Sequence, residues 1–154
     1  MSKGISASID YIISTIEALS PKRDSYHSFL CISRGQWDID SPENNGNQTR
    51  VFDIKMDSFS EDDGMAGVSG RKRAKMTLRV RYEIGHDKSF LDVMVSEDAS
   101  YLINGLSGPD YDFATTGIVS LILQNGTSEY ILNREGLPLA LILNLPFDLL
   151  YMEQ

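Results

Sequence analysis

The nine residues MTLRVRYEI, at positions 76–84, constrain the fold more than any other segment. They alternate without exception between apolar and polar side chains. A period of two residues places successive side chains on opposite faces of a β-strand. The pattern predicts a strand with one face in a hydrophobic core and one charged face, so the chain needs a second layer over the apolar side. The apolar residues are Met76, Leu78, Val80, Tyr82 and Ile84.

Two segments with helical periodicity can supply that second layer. The first precedes Pro21 and carries one apolar stripe. The second lies between Asp87 and Leu106, with Gly108 and Pro109 beyond its end. Its central SEDAS sequence favours a helix weakly, so two shorter helices are an alternative. The first stripe is Ile5, Ile9, Ile12, Ile13, Ile16 and Leu19, and the second is Leu91, Val95, Ala99, Leu102 and Leu106.

Four further segments are predicted as strands. Tyr26–Trp37 is short and apolar, and Arg50–Phe59 alternates in hydropathy. Ile118–Leu123 and Leu137–Leu145 are apolar runs, and the chain is expected to bend at Pro146. The order is one helix, three strands, one helix and two strands. It predicts an α+β fold with a mixed or antiparallel sheet of about five strands and two helices packed on one face.

The length of 154 residues predicts one domain, because chains of this size commonly enclose one core. Two segments, near residues 38–49 and 57–74, are rich in turn-forming and charged residues. Few apolar groups there can offset the entropy lost on ordering. We therefore expect both segments to be long mobile loops in the isolated protein.

The charge of the chain is segregated. It carries 22 acidic and 14 basic side chains, a formal charge of −8, yet six of the basic residues lie between positions 71 and 81. The overall acidity argues against wrapping duplex DNA, where phosphate neutralisation supplies much of the affinity. No run of 18 apolar residues and no secretory signal are recognised. We expect an intracellular, reducing setting without membrane contact.

The residues that commonly carry catalysis are few. The single cysteine, Cys31, and His27 would lie roughly 13 Å apart on one strand, too far for a hydrogen bond. His86 shares no motif with another ligand, and GMAGVSGRK at positions 64–72 departs from the phosphate-loop spacing. We expect a buried Cys31 thiol, no catalytic residue, no metal, no cofactor and no enzymatic activity.

The basic stretch permits three interpretations. It can be a solvated sheet face, a single-strand nucleic-acid contact, or a surface between subunits. No aromatic residue lies between Phe59 and Tyr82, which weakens the nucleic-acid hypothesis. Acids before the glycines and cations after them suit a head-to-tail contact that closes a ring. The predicted contact residues are Arg71, Lys72, Arg73, Lys75, Arg79 and Arg81 with Glu61, Asp62 and Asp63.

The order of these elements resembles a known family. The stretches SASIDYIISTIEAL, AKMTLRVRYEIG and LPLALILNLPFDLLYME are similar in pattern to the tail terminator proteins of long-tailed bacteriophages, the family of the lambda minor tail protein U. The similarity covers most of the chain and concerns the order and length of elements. The loops here are longer than in the lambda protein.

This resemblance implies a structural role in the virion. It implies a hexameric ring that caps the completed tail tube, stops its polymerisation and presents the head-joining surface. The partners would be other copies of the chain, the tail tube protein and a head–tail connector or neck protein. DNA would pass through without specific binding, and assembly would take place in the host cytoplasm.

Two other functions stay open at this point. Another connector, neck or tail-completion protein would show much the same pattern. A small single-stranded nucleic-acid-binding protein would use residues 71–81, and its binding would depend steeply on salt.

Overall fold

The computed structural model describes residues 4–20, 28–32, 39, 49–61, 71–84, 88–107 and 117–152. Within them two helices accompany a mixed sheet that curls into a half-barrel, which confirms the predicted α+β fold. The sheet order is β1-β2-β3-β6-β4, with β5 also paired to β6. β1 runs parallel to β2, and all other pairs are antiparallel. The elements are α1 Ile5–Glu17, β1 Leu30–Cys31, β2 Val51–Glu61, β3 Arg71–Glu83, α2 Lys88–Ser107, β4 Ile118–Leu123, β5 Thr127–Leu132 and β6 Pro138–Met152.

Both predicted helical stripes are confirmed. In α1, Ile12 and Ile16 are fully buried, and the other members of the stripe pack against the core. α2 is one continuous helix of 20 residues, so the alternative of two shorter helices is wrong. Its residues Leu91 and Leu102 are buried in the same cluster as the apolar side chains of the sheet. Both helices therefore cover one face of the sheet, here called the inner face.

β3 crosses the core as its alternation predicts. Its even-numbered residues from Ala74 to Tyr82 are all buried on the inner face. The opposite face, here called the outer face, carries the odd-numbered side chains. Their exposure falls along the strand, from Arg73 and Lys75, which are exposed, to Arg81, which is buried.

The expected loop at 57–74 is shorter than predicted. β2 continues to Glu61 and β3 begins at Arg71, so both ends of that segment are strands. Cross-strand pairing with β2 and β6 on either side of β3 satisfies the backbone there, and Ala74 adds buried contact. Residues 62–70 lie outside the described residues. So does the segment 38–49 except for Ile39 and Thr49.

The C-terminal strand is longer than the sequence predicts. β6 runs through Pro146 instead of bending there, and β5 is an additional strand. The carbonyl of Pro146 accepts a hydrogen bond from the Gln124 N–H at 2.8 Å. The N–H and C=O groups of a strand residue point to the same side of the strand. Proline has no N–H, and at position 146 the missing donor would have pointed toward residues 124–126, between β4 and β5. The proline therefore removes no ladder bond to β3.

Gly126 belongs to that same interval. A Cβ atom at this position would lie 2.6 Å from Leu145 Cδ2 and 3.3 Å from the Asn144 carbonyl oxygen. A side chain at position 126 would displace Leu145 and press against the backbone of β6, so the close approach favours glycine there.

The first predicted strand is reduced to two residues in the described part of the chain. Leu30 and Cys31 pair with Val51 and Phe52, and Phe29 beside them is buried. Residues 26, 27 and 33–37 of the predicted strand lie outside the described residues.

Candidate assembly surface

Arg79 is engaged by an acid on the neighbouring strand. The register of β2 and β3 places Asp53 opposite Arg79. The guanidinium donates two hydrogen bonds to the carboxylate, at 2.8 and 2.5 Å, and both side chains are about four-fifths buried, at 19% and 23% exposed. Such bidentate geometry is the strongest form of this ion pair. Arg79 lies on the outer face as predicted, but its charge is neutralised within the subunit.

Arg81 is not a surface residue, which corrects its assignment to the contact set. Its Nε donates to Glu83 Oε1 at 3.1 Å, and its Nη1 donates to the carbonyl of Ile39 at 2.9 Å. The side chain is 0% exposed, and Ile39, whose carbonyl it binds, is buried as well. A buried arginine needs both a carboxylate and further acceptors. The sequence shows Glu83 two residues away on the same strand face, but not the distant Ile39.

The other predicted cations occupy the far end of the sheet. Arg73 and Lys75 are exposed on the outer face, and Lys72 is half-buried on the inner side of the strand. Lys75 lies opposite Asp148 of β6 in register. A shallow depression beside Arg73 is lined by Ser120, Ile122, Asp148, Leu149 and Leu150. The side chain of Arg71 lies outside the described part of the structure.

The acidic half of the predicted contact set is closer to its cations than expected. Glu61 of β2 and Lys72 of β3 occupy opposite positions in one hairpin. Their backbones are therefore neighbours within a single subunit. Asp62 and Asp63 lie outside the described residues.

Two exposed apolar side chains lie near this end of the sheet, on the face opposite the exposed cations. Phe59 of β2 is 73% exposed, and Met56 is 40% exposed. Both lie on the inner side of the sheet in register with Ala74 and Met76, which are buried. The described parts of the helices therefore do not cover the end of β2. We define the hairpin end as Phe59, which is exposed on the inner face, together with Arg73 and Lys75, which are exposed on the outer face.

A buried polar network ties α2 to the sheet. Asp98 of α2 accepts hydrogen bonds from Arg50 Nε at 3.0 Å, Arg50 Nη2 at 2.8 Å and the Tyr82 hydroxyl at 2.7 Å. The guanidinium carbon of Arg50 lies 4.1 Å from the centre of the Phe29 ring, a cation–π contact. Three hydrogen-bond donors thus bind one carboxylate, and an aromatic ring packs against the guanidinium that supplies two of them.

The charge state of Asp98 reflects two opposed effects. Burial raises the pKa of Asp98 above its ordinary value of 3.8. The Tyr82 hydrogen bond and the positive charge of Arg50 lower the pKa, but by less than burial raises it. The network is structural, since Asp98 and Arg50 are only 0% and 1% exposed.

This network was not among the sequence-based predictions, although the sequence carries one signal for it. Asp98 falls on the apolar stripe of α2, three residues after Val95 and four before Leu102. An acid in such a stripe must find partners in the core. The position of Arg50 was not predictable from the sequence. Its φ of 63° places it in the left-handed region, which non-glycine residues rarely adopt. Its N–H donates to the carbonyl of Arg81 at 2.6 Å, which helps hold that conformation.

The described residues contain no group of three or more histidine, cysteine or acidic side chains that could hold a metal ion. Cys31 is half-buried rather than fully buried as predicted, and its N–H donates to the carboxylate of Glu17. His27 and His86 lie outside the described part of the chain. Among the described helices, none combines the length and apolar character needed to cross a bilayer.

A scan against protein-family models finds no match to this chain, and a search of curated proteins finds no relative.

Proposed function

We propose that this protein is a structural, ring-forming component of a long-tailed phage, namely the tail terminator that caps the tube, stops its polymerisation and provides the head-joining surface. The observation that carries the proposal is the hairpin end, where Phe59 is 73% exposed on the inner face and Arg73 and Lys75 are exposed on the outer face. Covering this aromatic side chain with a partner would be favourable, because it removes apolar surface from water. The proposed partners are neighbouring copies and the tube.

The ion pairs of the outer face favour protein contact over nucleic-acid contact. Arg79 and Arg81 already bind the carboxylates of Asp53 and Glu83. A phosphate would have to displace these carboxylates, and in the case of Arg81 it would also have to enter a buried position. The basic stretch therefore offers fewer phosphate contacts than the six cations of the sequence suggest.

Electron microscopy of the purified protein over a concentration series tests the proposal. We expect closed rings with an open centre, which become more frequent as the concentration rises. Isolated particles at every concentration would contradict the proposed ring. Oligonucleotide binding that weakens steeply with added salt would instead support the nucleic-acid alternative.

A matched pair of charge reversals tests the hairpin end. Arg73→Glu places an acid at the hairpin end, whereas Arg134→Glu makes the same change at an exposed turn at the opposite end of β6. We expect fewer rings or fewer capped tubes for Arg73→Glu and the wild-type level for Arg134→Glu. Equal behaviour of the two variants would show that the hairpin end is not a contact.

A further inference from the structure

The sheet has two outer edges that no strand covers within the described part of the chain. β5 pairs with β6 on one side only. β2 pairs with β1 at Val51 and Phe52 alone, and the Phe52 carbonyl accepts a further bond from the Ile32 N–H. From Ile54 onward the outer side of β2 has no described partner. Uncovered edges of this kind are templates for pairing with another chain.

The backbone groups that face outward on β5 follow from its register. The Pro146 carbonyl accepts from Gln124, and the Met152 N–H donates to Gly117, so even-numbered residues of β6 point toward β4 and β5. Asn144 and Ile142 therefore exchange hydrogen bonds with Thr127 and Glu129 of β5. The next residues of β5, Ser128 and Tyr130, alternate with these and direct their N–H and C=O groups away from β6.

The backbone groups that face outward on β2 follow from its register with β3. The Arg81 carbonyl accepts from the Arg50 N–H, so odd-numbered residues of β3 point toward β2. Lys55, opposite Thr77, is therefore bonded to β3. Ile54 and Met56 on either side of it direct their N–H and C=O groups outward, as Phe52 does toward Ile32.

The directions of the two edges are compatible. β2, β3, β6 and β5 are successive antiparallel neighbours, so β2 and β5 of one subunit run in opposite directions. Repeating the subunit side by side with the same orientation places β5 of one copy antiparallel to β2 of the next. The helices of both copies then lie on the same side of the joined sheet.

The side chains also match face for face. On the outer face, exposed Lys55 of β2 meets exposed Glu129 of β5, which otherwise accepts only a 3.4 Å hydrogen bond from Asn144 among the contacts described. On the inner face, Ile54 meets Tyr130, which is 48% exposed. Antiparallel pairing also aligns Met56 with Ser128. The backbones of the two outward pairs, Ile54–Tyr130 and Met56–Ser128, can then exchange hydrogen bonds.

We propose that β5 of one copy pairs antiparallel with β2 of the next copy, in the register Ile54–Tyr130, Lys55–Glu129 and Met56–Ser128, so that the ring is closed by a continuous sheet. The pairing ends at Ile54, because β1 and Ile32 occupy the edge of β2 at Val51 and Phe52. This inference rests on the proposed ring and names its subunit contact. The contact is heterologous, with two different surfaces meeting, as ring closure requires.

A proline at an outward position tests the pairing without breaking the fold. Ser128→Pro removes an N–H that points away from β6, so the ladder between β5 and β6 is preserved. Ser128→Ala retains the N–H and is the matched control. We expect sedimentation to show at least tenfold weaker self-association for Ser128→Pro, wild-type association for Ser128→Ala, and unchanged thermal unfolding of the monomer for both.

A charge exchange tests the choice of partner strand. Glu129→Lys and Lys55→Glu each place like charges opposite one another, so each single variant should associate at least tenfold more weakly. The double variant restores the pair with its signs exchanged, and we expect it to recover rings. An isologous pairing of β5 with β5 would give dimers, and Lys55→Glu would not rescue the Glu129→Lys variant.

The outcomes separate this inference from the proposed function. Rings that persist in Ser128→Pro, or a double variant that fails to recover, overturn the β2–β5 contact while the ring itself stands. Wild-type protein that stays monomeric at all concentrations overturns the ring and the contact together.

Discussion

Asp98 of α2 and Arg50 at the start of β2 form a bidentate ion pair, at 2.8 and 3.0 Å, from which water is almost fully excluded. The pair joins positions 48 residues apart in the chain and fixes the helix against the sheet at one point. Tyr82 contributes a third hydrogen bond from β3. This network holds the inner layer in place, while the contacts proposed for assembly lie at the hairpin end and the sheet edges.

Asp98→Ala should destabilise the fold strongly. The change leaves the buried Arg50 charge and the Tyr82 hydroxyl without their shared acceptor, and breaking a buried ion pair in this way costs about 3–5 kcal/mol. Urea denaturation measures the free energy of unfolding. Asp92→Ala, at an exposed position of the same helix, is the control and should change it by less than about 0.5 kcal/mol. Similar losses for both variants would contradict the role of the network.

The stability contributed by Asp98 should depend on pH. Burial raises the pKa of Asp98 above its ordinary value of 3.8, so the folded state holds this proton more tightly than the unfolded chain. The contribution is therefore largest below that value and falls as pH rises toward the folded-state pKa. We expect the difference in unfolding free energy between wild type and Asp98→Asn to decrease from about pH 4 to pH 7. A difference that increases over this range would show that the Arg50 charge dominates instead.

Arg81→Gln and Lys75→Gln should differ sharply, although both remove one cation from the outer face of β3. Arg81 is buried and donates to Glu83 and to the Ile39 carbonyl, whereas Lys75 is exposed. Each buried acceptor left unpaired costs about 1–3 kcal/mol, so Arg81→Gln should lower the unfolding free energy measurably. Lys75→Gln should leave it unchanged. Two equally stable variants would mean that Arg81 is not buried in solution.

Phe52→Ala and Phe59→Ala compare two aromatic residues of one strand. Phe52 is 0% exposed and Phe59 is 73% exposed. Phe52→Ala should destabilise the monomer by about 3–5 kcal/mol through the cavity it creates. Phe59→Ala should leave monomer stability nearly unchanged but weaken self-association, measured by sedimentation. Wild-type association of Phe59→Ala would remove Phe59 from the proposed surface.

Some features of the fold were predictable because they depend on neighbouring residues. The alternation of 76–84 predicts the central strand, and the isoleucine stripe predicts α1. Both predictions work because strands and helices differ in the spacing of apolar residues along a short segment. Turn-rich composition, by contrast, overstated the loop at 57–74. Its two ends pair with each other, and β3 also pairs with β6, so the backbone there is ordered by strands distant in sequence.

The sequence by itself determined the α+β class, both helices and the inward side of β3, because burying an apolar face is the dominant local requirement. Only the tertiary structure decided which charges remain on the surface. Arg73, Arg79 and Arg81 share one strand face and look equivalent in the sequence. Yet Arg73 is exposed, Arg79 binds Asp53, and Arg81 is buried and binds the Ile39 carbonyl. Their fates differ because the partners that neutralise or cover a charge come from other parts of the chain, and their positions depend on the completed fold.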